Sequence, residues 1–144
     1  MDNVDIVIVE DNHHDIEMIL DAFRELEIKA DTLIFSDGTE AVKNFFGVGG
    51  RFFSEKCKLP RLILLDLKLP KINGMEVLKL LKTDERTRSI PVVVFTTSNE
   101  QRDRMESYKL GANSYLVKPL DADQFVNHIK QIINYWISLN ENGY

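Results

Sequence analysis

Leu62-Ile63-Leu64-Leu65-Asp66 decides how the rest of the chain is read: four aliphatic residues in an unbroken row, closed by a carboxylate. An unbroken row, rather than an alternating one, is what a strand covered on both faces of a parallel sheet requires. Working outward, Ile6-Val7-Ile8-Val9, Val92-Val93-Val94-Phe95 and Tyr115-Leu116-Val117 repeat the pattern. A further row, Thr32-Leu33-Ile34-Phe35, is flanked by charge, as an edge strand would be. Between the rows, apolar residues recur at three and four positions, the period of a helix with one covered face. Ile16, Ile19, Leu20, Phe23 and Leu26 predict a first helix, with Asp15 placed to cap it. Ala41, Val42, Phe45 and Phe46 predict a second, and Met75, Leu78 and Leu81 a third, opened by Gly74. Ser98 to Leu110 is mostly polar, so a thinly packed helix is expected there, anchored by Met105 and Tyr108. Phe125, Ile129, Ile132, Ile133, Trp136 and Ile137 mark a long final helix that Leu139 extends. Strand and helix alternating in this way predict an α/β fold: a doubly wound five-stranded parallel sheet with helices on both faces and right-handed crossovers.

The 144 residues, 44% hydrophobic and 28% charged, suit one domain with a full core and are too apolar for a disordered chain. Residues 1–144 carry no linker or repeat. The one irregular stretch, Phe45 to Pro60, reads as a surface loop where Gly47, Gly49 and Gly50 break the second helix. A formal net charge of −5 argues against a nucleic-acid partner and against an anionic membrane surface. No apolar row approaches the ~18 residues that cross a bilayer. No basic segment followed by a long apolar one opens the chain, and the single cysteine, Cys57, can close no internal disulfide. A cytoplasmic protein is expected.

Open parallel sheets bind ligands beyond the carboxyl ends of their strands. The residues that follow the rows are Glu10-Asp11, Asp66, Thr96-Thr97 and Lys118-Pro119. Three carboxylates, a hydroxyl and an amine are therefore expected to converge. Two carboxylates ~5 Å apart repel by about 3 kcal/mol at an effective dielectric of about 20, so such a cluster needs positive charge or raised pKa values. An all-oxygen donor set suits Mg²⁺, and Lys118 adds a fixed ammonium. A carboxylate so placed can serve as a nucleophile and accept a phosphoryl group as an acyl phosphate. That transfer needs mainly positioning and neutralisation of the equatorial oxygens, which Mg²⁺, Lys118 and Thr96 could provide.

Glu10-Asp11, the run LILLDLKLPKINGMEVL around Asp66, VVVFTTS around Thr96 and GANSYLVKP around Lys118 together resemble the receiver domain of two-component response regulators. The likeness runs from about Asp5 to the late 130s, with Pro70 and Gly74 at the family's offsets after Asp66. It implies a flavodoxin-like strand order, 2-1-3-4-5. It implies that a sensor histidine kinase phosphorylates Asp66, and that Glu10, Asp11, Asp66 and the backbone carbonyl of Lys68 hold Mg²⁺. It further implies that Thr96 and Lys118 bind the phosphoryl group, that Thr96 and Tyr115 act as the switch pair, and that the Lys118–Pro119 bond is cis. The expected role is that of a signalling phosphoacceptor which catalyses its own phosphorylation and dephosphorylation, not a metabolic enzyme. Output is expected through a protein contact or onward phosphoryl transfer, with the polar helix from Ser98 to Leu110 as the movable element. FTTS, the string YKLGANSY and Tyr135-Trp136 on the last helix resemble the single-domain regulators that partner bacterial phytochromes. Lys68 departs from that subgroup, where Asn or another smaller residue is usual; with Ser98 it flanks the route of the attacking water. His13-His14 is a second departure.

Two rivals share the layout. A Mg-dependent aspartyl-phosphate phosphohydrolase typically carries a second Asp two residues after the first, where this chain has Lys68. A flavodoxin-like electron carrier needs a glycine- and hydroxyl-rich loop after the first strand, where this chain has Glu10-Asp11-Asn12-His13. Adjacent histidines face different directions on a helix, so His13 and His14 read as a solvated helix start. Cys57 reads as incidental, and Phe45, Phe46, Phe52 and Phe53 as packing beneath the loop. Tyr135, Trp136, Ile137 and Leu139 prolong the last helix beyond what covering the sheet requires. They either fold back on the domain or bury against a second copy, and a homodimer is the favoured expectation.

Overall fold

In the computed structural model, which describes residues 3–144, five parallel strands form one sheet in the order β2-β1-β3-β4-β5. The strands are β1 (Ile6–Val9), β2 (Thr32–Phe35), β3 (Leu62–Leu65), β4 (Val92–Thr96) and β5 (Ser114–Val117). The helices between and after them are α1 (His13–Glu25), α2 (Gly38–Phe46), α3 (Gly74–Thr83), α4 (Gln101–Leu110) and α5 (Ala122–Ile133). The doubly wound α/β expectation and its strand order are both met.

The unbroken rows are explained by the two cores they serve. Successive strand residues point to opposite faces. Val7, Val9, Ile63, Leu65 and Val94 face Phe45, Leu78 and Leu81 of α2 and α3. Ile6, Ile8, Leu62, Leu64 and Phe95 face Ile19 and Phe23 of α1 and Phe125 and Ile129 of α5. The register aligns the strand ends: Val9 pairs with Leu65, and Leu65 with Val94. Residues just beyond β1, β3 and β4 therefore leave the sheet at one edge.

Four expectations need correction. The row at β5 is half-buried, not covered on both faces, because the strand order places it at the sheet edge opposite β2. On α4 the buried residue is Ser107, whereas Met105 and Tyr108 are 62% and 49% exposed. A small side chain lets α4 lie close to α3, and Tyr108 anchors it by its hydroxyl alone, which accepts the Tyr115 N–H at 3.1 Å. Asn12, not Asp15, caps α1, its side chain accepting the Asp15 N–H at 3.0 Å. The Lys118–Pro119 bond is trans, like every peptide bond among the described residues.

Phe45 and Phe52 are buried and stacked, with ring centroids 4.7 Å apart, so the loop after α2 is packed from below. Arg86 ties it down, donating to the carbonyls of Phe45 and Phe52. Beyond α5 the winding becomes that of a π-helix over Asn134–Leu139. Trp136 and Ile137 fold back onto the α1–α5 core, and Arg61 donates to the Ile137 carbonyl at 2.7 Å. Tyr135 and Leu139 face outward. No helix among the described residues is long and apolar enough to cross a membrane.

Candidate functional site

At the carboxyl edge of the sheet an open cleft of about 600 Å³ is lined by Glu10, Asp11, Asp15, Asp66, Lys68 and Lys118, among others. Glu10 and Asp66 directly follow β1 and β3 and are buried, whereas Asp11 is exposed. Asp66 is held by the turn that follows it: the Lys68 N–H donates to its Oδ1 at 3.1 Å. That turn runs into α3, whose first residue must be glycine. A Cβ at Gly74 would stand 2.1 Å from the Asp66 carbonyl oxygen and 2.5 Å from the Leu67 Cα. Thr96, fully buried, ends β4, and its carbonyl accepts the Lys118 N–H at 2.7 Å. Lys118 is thereby fixed at the end of β5 with its stem directed across the cleft floor.

The Lys118 ammonium donates to Glu10 Oε1 at 2.6 Å, Asp15 Oδ2 at 2.7 Å and Asp66 Oδ2 at 2.8 Å. Burial alone would lower its pKa, but hydrogen bonds to Asp15, Asp66 and Glu10 outweigh burial and hold it above the usual lysine range. One ammonium does not satisfy the acids. Burial first, and repulsion from Asp66 second, push the Glu10 carboxyl up to about 7, despite its bond to Lys118. Glu10, Asp11 and Asp66 each offer an oxygen within 4.8 Å of the others. An all-carboxylate set that one ammonium compensates only in part fits a hard divalent cation. His13 and His14 are exposed at the start of α1, and no such cluster among the described residues includes them.

Thr96 and Tyr115, the expected switch pair, are connected through Ser98. Its N–H donates to Thr96 Oγ1 at 3.4 Å, and its carbonyl accepts the Tyr115 hydroxyl at 2.8 Å. Its own hydroxyl donates to Asp103 of α4 at 2.6 Å. The structure therefore brings together Glu10, Asp11, Asp66, Lys68 and Lys118 in the cleft, where Thr97 and not Thr96 joins the lining; Thr96 meets Lys118 through the backbone, and Tyr115 is two hydrogen bonds from the Thr96 hydroxyl. The structure adds Asp15, for which the sequence alone suggests a capping role. The available signal was Asn12 three residues earlier: as the better-placed cap it frees the Asp15 carboxylate for the cleft.

Residues 6–130 match the response regulator receiver domain model. The chain is 39% identical over 139 residues to the probable methanogenesis regulatory protein FilR2 of Methanothrix harundinacea, covering 95% of this chain and 86% of that one. It is 35% identical over 132 residues to response regulator Rcp1 of Synechocystis, covering 92% and 88%. The Mn²⁺-bound crystal structure of Rcp1 superposes with a TM-score of 0.87 at 32% identity, covering 96% of this chain and 98% of that one. The phosphorylated cyanobacterial phytochrome response regulator RcpA superposes with a TM-score of 0.88 at 34% identity, covering 99% and 100%. Nothing in these likenesses favours the phosphohydrolase alternative. With the strand order, the acid cleft and the motif positions all in agreement, the chain belongs to the response regulator receiver domain family of two-component signalling proteins.

Proposed function

We propose that Asp66 is the phosphoacceptor of a two-component relay, taking its phosphoryl group from a sensor histidine kinase and returning it to water. The observation that carries this reading is the Lys118 ammonium bonded at once to Glu10, Asp15 and Asp66. An Asp66 carboxylate oxygen attacks phosphorus, the phosphorus–nitrogen bond to the donor imidazole breaks, and the imidazole leaves carrying the bond's electron pair. Lys118 pairs with the transferred group and Thr96 bonds it. Glu10, Asp11, Asp66 and the Lys68 carbonyl would hold Mg²⁺, which when bound supplies the positive charge that the carboxylates lack and that phosphoryl oxygens need.

The same residues give the switch. Thr96 reaches α4 through Ser98, Asp103 and Tyr115, so a new bond from Thr96 to a phosphoryl oxygen biases the α4–β5 surface. RcpA is described as a phytochrome response regulator, and the likeness supports a phytochrome-like kinase as the partner. Tyr135 and Leu139, exposed on the last helical turn, are the anchors for a homodimer. Sedimentation tests the dimer: a strict monomer at high concentration, phosphorylated and not, removes it.

The central test is chemical. Offered acetyl phosphate and Mg²⁺, the protein takes up one base-labile, hydroxylamine-labile phosphoryl group, and Asp66→Asn takes up none. Equal labelling of the variant, or none of the parent, overturns the reading.

A further inference from the structure

Asp15 is not among the three residues whose oxygens converge on a cation position, yet it takes one of the three N–H bonds of Lys118. An ammonium has three donors, and here carboxylates occupy all of them. Two of these acceptors have second claims. Glu10 belongs to the cluster that suits a divalent cation, and Asp66 is the residue assigned to phosphorylation. Asp15 has neither. Its carboxylate lies in the first turn of α1, where the helix dipole favours negative charge. Its backbone N–H is fixed by the Asn12 cap at 3.0 Å, and its side chain is 15% exposed.

We propose that Asp15 is a positioning residue: it is the anchor that keeps the Lys118 ammonium at the phosphoryl position when cation and phosphoryl group draw Glu10 and Asp66 away. The inference rests on the reading of Asp66 as phosphoacceptor. Without Asp15 the lysine keeps its charge but loses its fixed direction, and one of its N–H groups turns to water. A negative counter-charge that is not itself a cation ligand also lets the ammonium and a divalent cation share one cleft.

The test compares phosphorylation rates from acetyl phosphate and Mg²⁺ for the parent, Asp15→Ala, Asp15→Asn, Lys118→Ala and the Asp15→Ala/Lys118→Ala double variant. Asp15→Ala is expected to slow labelling at least fivefold, chiefly in the maximal rate and not in half-saturation by acetyl phosphate. Asp15→Asn, which keeps an oxygen acceptor, recovers part of the loss. In the Lys118→Ala background the Asp15 substitution changes nothing, because its effect runs through that lysine. A rate within twofold of the parent for Asp15→Ala, or an equal loss in both backgrounds, overturns the proposal. A second measurement needs no phosphorylation: the Lys118 ammonium protons, held by three carboxylates, give a ¹H–¹⁵N signal that Asp15→Ala abolishes while the amide spectrum stays folded. If the parent takes no label but this signal is lost as expected, the phosphoacceptor reading fails and the anchoring contact stands. A signal that survives Asp15→Ala removes the anchor itself.

Discussion

Glu10 carries an internal conflict, a carboxyl buried beside Asp66 and pushed up from 4.5 to about 7. The folded protein therefore binds this proton more tightly than the unfolded chain does. In metal-free protein the resulting penalty is absent below about pH 4.5, grows through the window up to about 7, and is fully present above it, reaching ~3 kcal/mol at most. Urea unfolding in a chelator should show stability falling from pH 5 to 8 in the parent, and a flatter profile in Glu10→Gln; parallel profiles would refute the assignment. A divalent cation competes with the same proton, so its affinity should rise with pH to about 7 and then level off. Lys68, exposed at the lip of the same cleft, is expected to shield a phosphoryl group on Asp66 from water. Lys68→Asn should shorten the phosphoryl lifetime about threefold or more in a dephosphorylation time course, and an unchanged lifetime would sink the idea. At this scale the sequence was partly legible. Glu10, Asp66, Thr96 and Lys118 were visible because each follows an apolar row, whereas Asp15 was hidden inside a helix whose start could be capped by either of two residues.

Between β3 and α3 the chain turns so tightly that Gly74 rests on the backbone of Asp66 and Leu67, and its N–H donates to the Leu67 carbonyl at 2.9 Å. A methyl at Gly74 has no flexible neighbour to displace. Gly74→Ala should cost about 3 kcal/mol in thermal or urea unfolding, and it should weaken cation binding as well, because Asp66 must move with the turn. A loss under 1 kcal/mol would mean that the turn yields more easily than the contact distances allow. Arg86 does comparable work for the loop after α2, where its guanidinium satisfies two carbonyls that flank the stacked Phe45 and Phe52 rings. Arg86→Ala leaves those carbonyls without their donor, and a loss of about 2 kcal/mol is expected, with proteolytic nicking between Gly47 and Pro60. The elements were legible where burial on two faces writes an unbroken row, as in β1, β3 and β4. Legibility failed where contacts set the outcome: β5 carries the same kind of row but lies at an edge, and the passage from α5 into a π-helix at Asn134 has no local signal.

Across the whole molecule the two ends of the sheet are closed to different degrees. At the end away from the cleft, Arg61 and Tyr144 stitch the C-terminal segment to the start of β3, the Tyr144 hydroxyl donating to the Pro60 carbonyl at 2.5 Å. At the cleft end, α4 buries a single residue, Ser107, packs Leu110 partly on the core, and is otherwise held by polar contacts from Asp103 and Tyr108. Few buried apolar contacts and solvent-reachable hydrogen bonds mark a segment that opens well below the global unfolding free energy. Amides of α4 should accordingly exchange with deuterium by local opening, insensitive to low denaturant, while those of β1, β3 and β4 exchange only on global unfolding. Removing the Ser98–Asp103 bond with Asp103→Ala should speed exchange in α4 about fivefold to tenfold, the effect of a hydrogen bond worth roughly 1 kcal/mol, and leave the β1 amides unchanged. If α4 instead exchanges with the strands as one cooperative unit, it cannot be repositioned cheaply, and a bond from Thr96 to a phosphoryl group would have no soft element to move.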